Sequence, residues 1–62
     1  MNNLERVEWI EKRRGEAFLV VAEREGEAWR FSDRSFSDSE VRWHRMANDP
    51  SLIAQAERLS LY

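Results

Sequence analysis

Apolar and polar residues alternate along much of this chain, and the alternation predicts an antiparallel β-sheet. "RVEWIEK" (6–12), "EAWRFS" (27–32) and "EVRWHRM" (40–46) place apolar side chains at intervals of two over much of their length. A period of two is typical of a strand with one buried face. "EAFLVVAER" (16–24) is instead apolar on both sides at its centre, although a strand of an antiparallel sheet with one solvated face should alternate. The pattern therefore predicts three to four strands, at about 6–12, 16–24, 27–32 and 40–46.

A near-repeat predicts how the first three strands are joined. "RRGEAFLV" (13–20) and "REGEAWRF" (24–31) share Arg, Gly, Glu, Ala and then an aromatic residue. Gly15 and Gly26 can adopt the positive φ that tight hairpin turns require. We expect Arg13 to face Glu16, and Arg24 to face Glu27. With these registers one sheet face collects the apolar side chains, namely those of Val7, Trp9, Phe18, Val20, Ala22, Trp29 and Phe31.

The last segment predicts a helix that covers this face. Asp49 is a favourable N-cap, and Pro50 suits the first helical position because its missing N–H costs nothing there. Leu52, Ile53, Ala56 and Leu59 then form one apolar stripe. The predicted fold is a small α+β domain, in which an antiparallel β-meander packs against a C-terminal helix over about 50–61.

Two segments have an alternative helical interpretation. Residues 4–13 carry an i,i+4 Glu–Lys pair, a basic last turn and a following glycine. In residues 38–48, Ser37 and Glu40 resemble a capping box, which predicts a helix in place of the fourth strand. The alternating pattern favours the strand in both segments. As a strand, 40–46 would direct Val41 and Trp43 into the core.

Length and composition exclude several classes of protein. The chain has 62 residues, a net charge of −2 and no cysteine, so we expect one small globular domain over 1–62, without disulfides or thiolate zinc sites. The longest apolar run is 17–22, which is far short of a membrane span. "MNNLERVEW" has acidic residues where a secretory signal would be apolar. We therefore expect a cytoplasmic protein.

The residue types that carry catalysis are sparse and unpartnered in sequence. His44 is the only histidine and lies between tryptophan and arginine neighbours, so a structural role is expected. The carboxylates each have a basic residue nearby, which is typical of a solvated strand face with ion pairs. No phosphate-binding, nucleophile or metal-binding motif occurs. We expect no catalytic residue, no metal, no cofactor, no small-molecule substrate and no enzymatic activity.

The second sheet face is the more informative feature. Ala17, Leu19 and Val21 make the central strand apolar on this side as well, with Arg30 expected opposite Val21. An apolar patch of this kind is typical of a contact surface. We therefore predict non-enzymatic function through protein–protein contact, with a homodimer or another protein as partner. The predicted interface residues are Ile10, Leu19, Val21, Arg30, Arg42 and His44.

The alternative function is nucleic-acid binding by the arginine-rich region 30–45. Two observations weigh against it: the acidic pI near 5.3, and the aromatic residues of the strands, which are expected to point inward. The fourth strand also creates a conflict, since pairing Trp29 with Trp43 would set Arg30 opposite Arg42. Like charges in that position destabilise a sheet, unless an acid or a bound anion neutralises them.

Overall fold

A computed structural model describes residues 4–60 and confirms the predicted α+β fold. Four antiparallel strands lie in sequence order in one sheet, and a single helix follows them. The predicted last helical residue, 61, lies outside the described residues. The elements are β1 (Leu4–Arg13), β2 (Glu16–Glu25), β3 (Ala28–Ser35), β4 (His44–Met46) and α1 (Pro50–Ser60).

Two segments had both a strand and a helix interpretation, and the structure has a strand in each of them. β1 is a continuous strand of ten residues, and its side chains alternate between exposed and partly buried along the whole length. The helix predicted as the alternative for 38–48 is absent from the described residues, and 36–43 is irregular. The strand that does form there, His44–Met46, is shorter than the predicted 40–46.

The first hairpin has the predicted register. Arg13 pairs with Glu16, and Trp9 pairs with Val20. The two residues of the turn, Arg14 and Gly15, both have positive φ, at 51° and 80°. Positive φ at both central positions is the pattern of a type I′ turn, whose twist matches that of the strands it joins. Gly15 has no side chain to clash at positive φ, whereas Arg14 adopts it at a steric cost.

The second hairpin is shifted by two residues from the predicted register. Arg24 pairs with Trp29 rather than Glu27, and the turn consists of Gly26 and Glu27. Gly26 has φ 73°, and Glu27 is not among the positive-φ residues. Glycine first with positive φ is the pattern of a type II′ turn. The predicted turn would have required positive φ at Glu25, so the observed register avoids that strain. A shift of two preserves which face each side chain occupies.

The third strand runs three residues beyond its predicted end, because two polar residues are stabilised on its inner side. Asp33 and Ser35 are both buried. The Arg13 guanidinium donates a hydrogen bond to Asp33 at 2.6 Å, and the Ser35 hydroxyl donates to Glu16. A buried carboxylate is tolerated only with such a partner. These contacts hold "SDRS" in the sheet, although its residue types favour a loop.

The core lies between α1 and one face of the sheet, which we call the inner face. Ala22, Trp29, Phe31 and Ala56 are buried together, and the Trp29 and Phe31 rings are stacked with centroids 6.2 Å apart. The surrounding side chains are partly buried and pack against this cluster; they are Val7, Trp9, Met46, Leu52 and Ile53. The helix stripe therefore covers the predicted face.

The predicted placement of Val41 and Trp43 in the core is wrong. Both are exposed, at 58% and 48%. In the observed register Phe31 pairs with Met46, so Met46 takes the inward position on β4. The face of a strand residue follows the parity of its position, and a strand registered on Met46 points its odd-numbered residues outward. This reversal moves Trp43 to the opposite side of the sheet.

The start of the helix matches its prediction. The Asp49 carboxylate accepts hydrogen bonds from the Ser51 backbone N–H and hydroxyl, both at 2.8 Å. These bonds lower the pKa of Asp49. Asn48 immediately before it donates its side-chain amide to the Trp29 carbonyl at 2.8 Å. This bond ties the connection between β4 and α1 to the start of β3.

Candidate interaction surface

The outer face is the side of the sheet opposite α1. The pairing registers and the alternation of side chains define its members. They are Leu4, Arg6, Glu8, Ile10 and Lys12 on β1, Ala17, Leu19, Val21, Glu23 and Glu25 on β2, Ala28, Arg30, Ser32 and Arg34 on β3, and Arg45 on β4. No second helix or strand covers this face among residues 4–60.

Exposed large hydrophobic side chains concentrate on or beside the outer face. Leu4 and Ile10 belong to it, and Ile10 is 64% exposed. The Phe36 N–H donates to the Ala17 carbonyl at 3.1 Å, so Phe36 continues the β2–β3 register beyond β3 and joins the same side. Trp43 and Val41 lie in the irregular segment just before β4. Among the described residues the inner face and α1 contribute none of these exposed side chains.

Trp43 lines both of two shallow grooves on the outer face. One groove, of about 420 Å³, is lined by Arg6, Val21, Glu23, Ser32 and Trp43. The other, of about 300 Å³, shares Glu23, Ser32 and Trp43 but adds the two basic residues Arg30 and Arg45. The Trp43 indole offers an apolar surface, and the arginines that line the same grooves offer hydrogen-bond donors. No sequence pattern distinguished this position, because the parity of β4 depends on its partner strand.

The charges of the outer face differ from those of the whole chain. Five basic side chains belong to it, namely Arg6, Lys12, Arg30, Arg34 and Arg45, against the three carboxylates Glu8, Glu23 and Glu25. The chain as a whole has net charge −2. The excess of positive charge on this face is therefore local and is balanced by acids elsewhere.

The predicted conflict between Arg30 and Arg42 does not arise. In the observed register Arg30 lies opposite Glu23, which in turn lies opposite Arg6. Arg42 lies outside β4 and donates to Glu40 at 3.3 Å in the exposed segment. Opposite charges across neighbouring strands stabilise a sheet by a few tenths of a kcal/mol, about 0.2–1 per pair. No bound anion is needed to explain the pairing.

The six predicted interface residues do not all share one surface. The registers bring Ile10, Leu19, Val21 and Arg30 together on the outer face. His44 pairs with Asp33 and so has inner-face parity, while Arg42 lies in the irregular segment. Trp43 and Arg45 occupy the outer positions that His44 and Arg42 were expected to fill. Whether any of these residues contacts a partner remains a prediction.

The polar clusters of the inner face have structural explanations. Arg13 binds Asp33 and also Glu11, and its guanidinium lies 4.8 Å from the centre of the Phe18 ring. Glu16 accepts hydrogen bonds from Ser35 and Ser37, which lower the pKa of its carboxyl. A lower pKa makes Glu16 a weaker base, the opposite of what activation of a serine nucleophile requires.

Neither a metal centre nor a membrane-crossing helix occurs in the described part of the chain. No cluster of three or more histidine, cysteine or carboxylate residues there could hold a metal ion. No helix between residues 4 and 60 combines the length and apolar character needed to cross a bilayer. Comparison with known proteins gave no significant match, whether to a family model, a curated protein or a solved structure.

Proposed function

We propose that this protein acts through protein–protein contact and that the outer face is its interface with a second copy of the chain. The observation that carries the proposal is the location of the exposed large hydrophobic residues. Leu4, Ile10, Phe36 and Trp43 lie on or beside the one sheet face that no helix covers within residues 4–60. Clustered apolar exposure on one side is typical of an interaction surface, whereas scattered exposure is ordinary.

The small core adds support for a stable partner. Only six hydrophobic residues are buried in the described chain, and three of them are alanine or valine of the central strand. A core of this size supplies only about 3–5 kcal/mol of net stability. Packing a second sheet against the outer face would bury Leu19 further and would cover Ile10 and Trp43. Homodimer formation is a common route by which small domains gain stability.

Sedimentation equilibrium at micromolar and millimolar concentrations tests self-association directly. We expect a dimer at the higher concentration, and a shift toward monomer in Ile10→Asp, which places a charge within the proposed contact. Because Ile10 is 64% exposed, this change should leave the fold intact. Ala54→Glu is the matched control, since Ala54 is exposed on α1 away from the outer face. A wild-type monomer at millimolar concentration would rule the homodimer out.

The proposal also includes a cytoplasmic, non-enzymatic role. The absence of cysteine suits a reducing compartment. His44 is exposed, and Asp33, the carboxylate opposite it in the sheet, is already bound to Arg13. A histidine without an orienting partner lacks the arrangement that general-base catalysis requires.

Single-stranded nucleic acid is the second candidate partner, and the position of Trp43 favours it. Inward-pointing aromatic residues had weighed against this function, but Trp43 is on the outer side, in one groove with Arg30 and Arg45. Bases stack on such aromatics, and arginines bind the phosphates. Binding of a labelled random oligonucleotide should weaken steeply with salt and be lost in Trp43→Ala. The absence of binding at low salt would remove this candidate.

A further inference from the structure

The charges of the outer face are separated across the strand direction. The half formed by β3 and β4 carries Arg30, Arg34 and Arg45 and no carboxylate. The half formed by β1 and β2 carries all three acids of the face, Glu8, Glu23 and Glu25, along with Arg6 and Lys12. One half of the outer face is therefore basic, and the other half is slightly acidic.

Rows of paired residues show how regular this separation is. One row crosses the sheet as Glu8, Val21, Ser32 and Arg45, from acid through small or apolar residues to base. The next row contains Glu23 and Arg30 as direct neighbours on the two central strands. The Glu8–Arg45 row and the Glu23–Arg30 pair thus become complementary to themselves when they are reversed from end to end.

A face-to-face homodimer can use a two-fold axis in one of two orientations. An axis across the strands would lay each strand on its own copy, which brings the three arginines of β3 and β4 against their counterparts. Like charges facing each other across an interface cost several kcal/mol. An axis along the strands instead lays β1 and β2 of one copy over β3 and β4 of the other. Both orientations satisfy the near-parallel alignment that packed sheets prefer.

We propose that two copies pack their outer faces about an axis parallel to the strands, so that each row meets its own reverse. This inference rests on the proposed self-association. Glu8 of one copy then faces Arg45 of the second copy, Glu23 faces Arg30, and Val21 faces Ser32. Ala17 also faces Phe36. Every acid–base contact occurs twice, as a symmetric interface requires. Trp43, which lines both grooves, lies within the contact, where large aromatic residues contribute most.

Charge reversal in matched pairs tests the orientation. Arg30→Glu with Arg45→Glu makes both halves acidic, and Glu8→Arg with Glu23→Arg makes both basic. Each double variant alone should dimerise at least about tenfold more weakly than wild type. An equimolar mixture should form a heterodimer at wild-type affinity or better. Unchanged self-association of the arginine variant would overturn the proposed axis, because only the other axis already places those residues against their own copies.

Engineered cysteines give a second, independent readout. The natural chain contains no cysteine, so any disulfide reports the introduced pair. A mixture of Glu8→Cys and Arg45→Cys proteins should oxidise to the mixed 8–45 disulfide. Predominant 45–45 or 8–8 disulfides would overturn the proposal. The four substituted residues, Glu8, Glu23, Arg30 and Arg45, all belong to the outer face, and circular dichroism checks that each variant folds. If a charge-reversal variant does not fold, the neutral variant Arg30→Gln with Arg45→Gln takes its place.

The two proposals fail in distinguishable ways. If wild-type protein is monomeric at millimolar concentration, self-association itself is wrong. If wild type is a dimer sensitive to Ile10→Asp but the cysteines report 45–45 contacts, the outer face is the interface and only the axis is wrong. If the Arg30→Gln, Arg45→Gln variant dimerises as tightly as wild type at low salt, electrostatic pairing does not orient the copies.

Discussion

The inner and outer faces of the sheet have similar apolar content along β2 but differ in what covers them. On the inner face α1 packs over Ala22 and Phe31. Two arginines at the edges of this core pack against aromatic rings. Arg24 lies 4.6 Å from the Trp29 ring centre and Arg13 lies 4.8 Å from that of Phe18. On the outer face the arginines lie beside the apolar residues, and no element of the described part of the chain covers them. The same residue types therefore serve as core boundary on one side and as an open surface on the other.

On the outer face, burial of an apolar residue depends on its neighbours within the sheet. Val21 is only 4% exposed and lines a groove together with Trp43. Ile10 lies on the neighbouring strand β1, two residues beyond the partner of Val21, and is 64% exposed. A helix of eleven residues covers only one side of a four-stranded sheet. The second apolar side has no covering element within residues 4–60, and the proposed function rests on this observation.

Truncation of a large aromatic on each face gives the strongest contrast. Phe31→Ala should lower the free energy of unfolding by about 3–5 kcal/mol, because it leaves a cavity in the core. In a chain of this size that loss should unfold most of the population. Trp43→Ala should change monomer stability by less than about 1 kcal/mol, since Trp43 is 48% exposed.

Urea unfolding at low protein concentration, followed by circular dichroism, measures both values. Low concentration keeps any self-association from adding to the stability. Equal losses in the two variants would mean that the outer face is as much a part of the monomer's core as the inner face.

Removal of one arginine from each face tests the polar boundary. Arg13→Met should cost about 1–2 kcal/mol, because it leaves the buried Asp33 carboxylate without its ion-pair partner. The value is modest because the Arg13 side chain is 37% exposed, so that solvent screens the pair. Arg30→Met should cost less than about 0.5 kcal/mol, since Arg30 is exposed and lies opposite Glu23 without a salt bridge to it.

Adding Asp33→Asn to Arg13→Met should recover part of the lost stability, because the neutral amide is less costly to bury than an unpaired charge. The denaturant midpoints of Arg13→Met, Arg30→Met and the double variant, each compared with wild type, measure these differences in stability. A double variant no more stable than Arg13→Met would show that Asp33 does not need a charged partner.

The two turns allow a smaller and opposite effect. Arg14→Asn should stabilise the protein by about 0.5–1 kcal/mol, since asparagine tolerates the positive φ of 51° better than arginine. Glu27→Asn is the matched control, because Glu27 occupies the second turn without positive φ. Thermal midpoints of both should be compared with wild type. A similar gain from both substitutions would contradict the assignment of different turn types.

The helix cap predicts a small effect of acid on the inner layer. Hydrogen bonds from Ser51 lower the pKa of Asp49 in the folded protein. A folded pKa below the unfolded value stabilises the fold above the unfolded pKa, and this contribution disappears as the pH falls through the folded pKa. Asp49→Asn retains the cap but does not titrate. The thermal midpoint of wild type should therefore fall more than that of Asp49→Asn between about pH 5 and pH 2. Parallel profiles would show that Asp49 does not contribute.

The first hairpin and the helix could be predicted from local sequence, because their determinants are adjacent in the chain. Gly15 and its neighbours specify a two-residue turn, and Asp49 with Pro50 specifies where α1 begins. The second hairpin has nearly the same letters, yet its glycine occupies the first turn position rather than the second. The segment "REGEAW" is compatible with a turn at Glu25–Gly26 or at Gly26–Glu27, and the two differ in whether Glu25 must adopt a positive φ. The strand order and the inner face survived this error because a shift of two preserves parity.

The sequence by itself determined the α+β class, the inner face of the first three strands and the start of the helix, since alternation, glycines and a cap act within a few residues. Only the tertiary structure decided the third strand's extension, the register of β4 and the surface role of Trp43. Asp33 stays in the sheet because Arg13, twenty positions away, binds it. Met46 rather than Trp43 fills the core because β4 must match Phe31 across the sheet. Such choices depend on partners that are distant in the chain, and local periodicity carries no information about them.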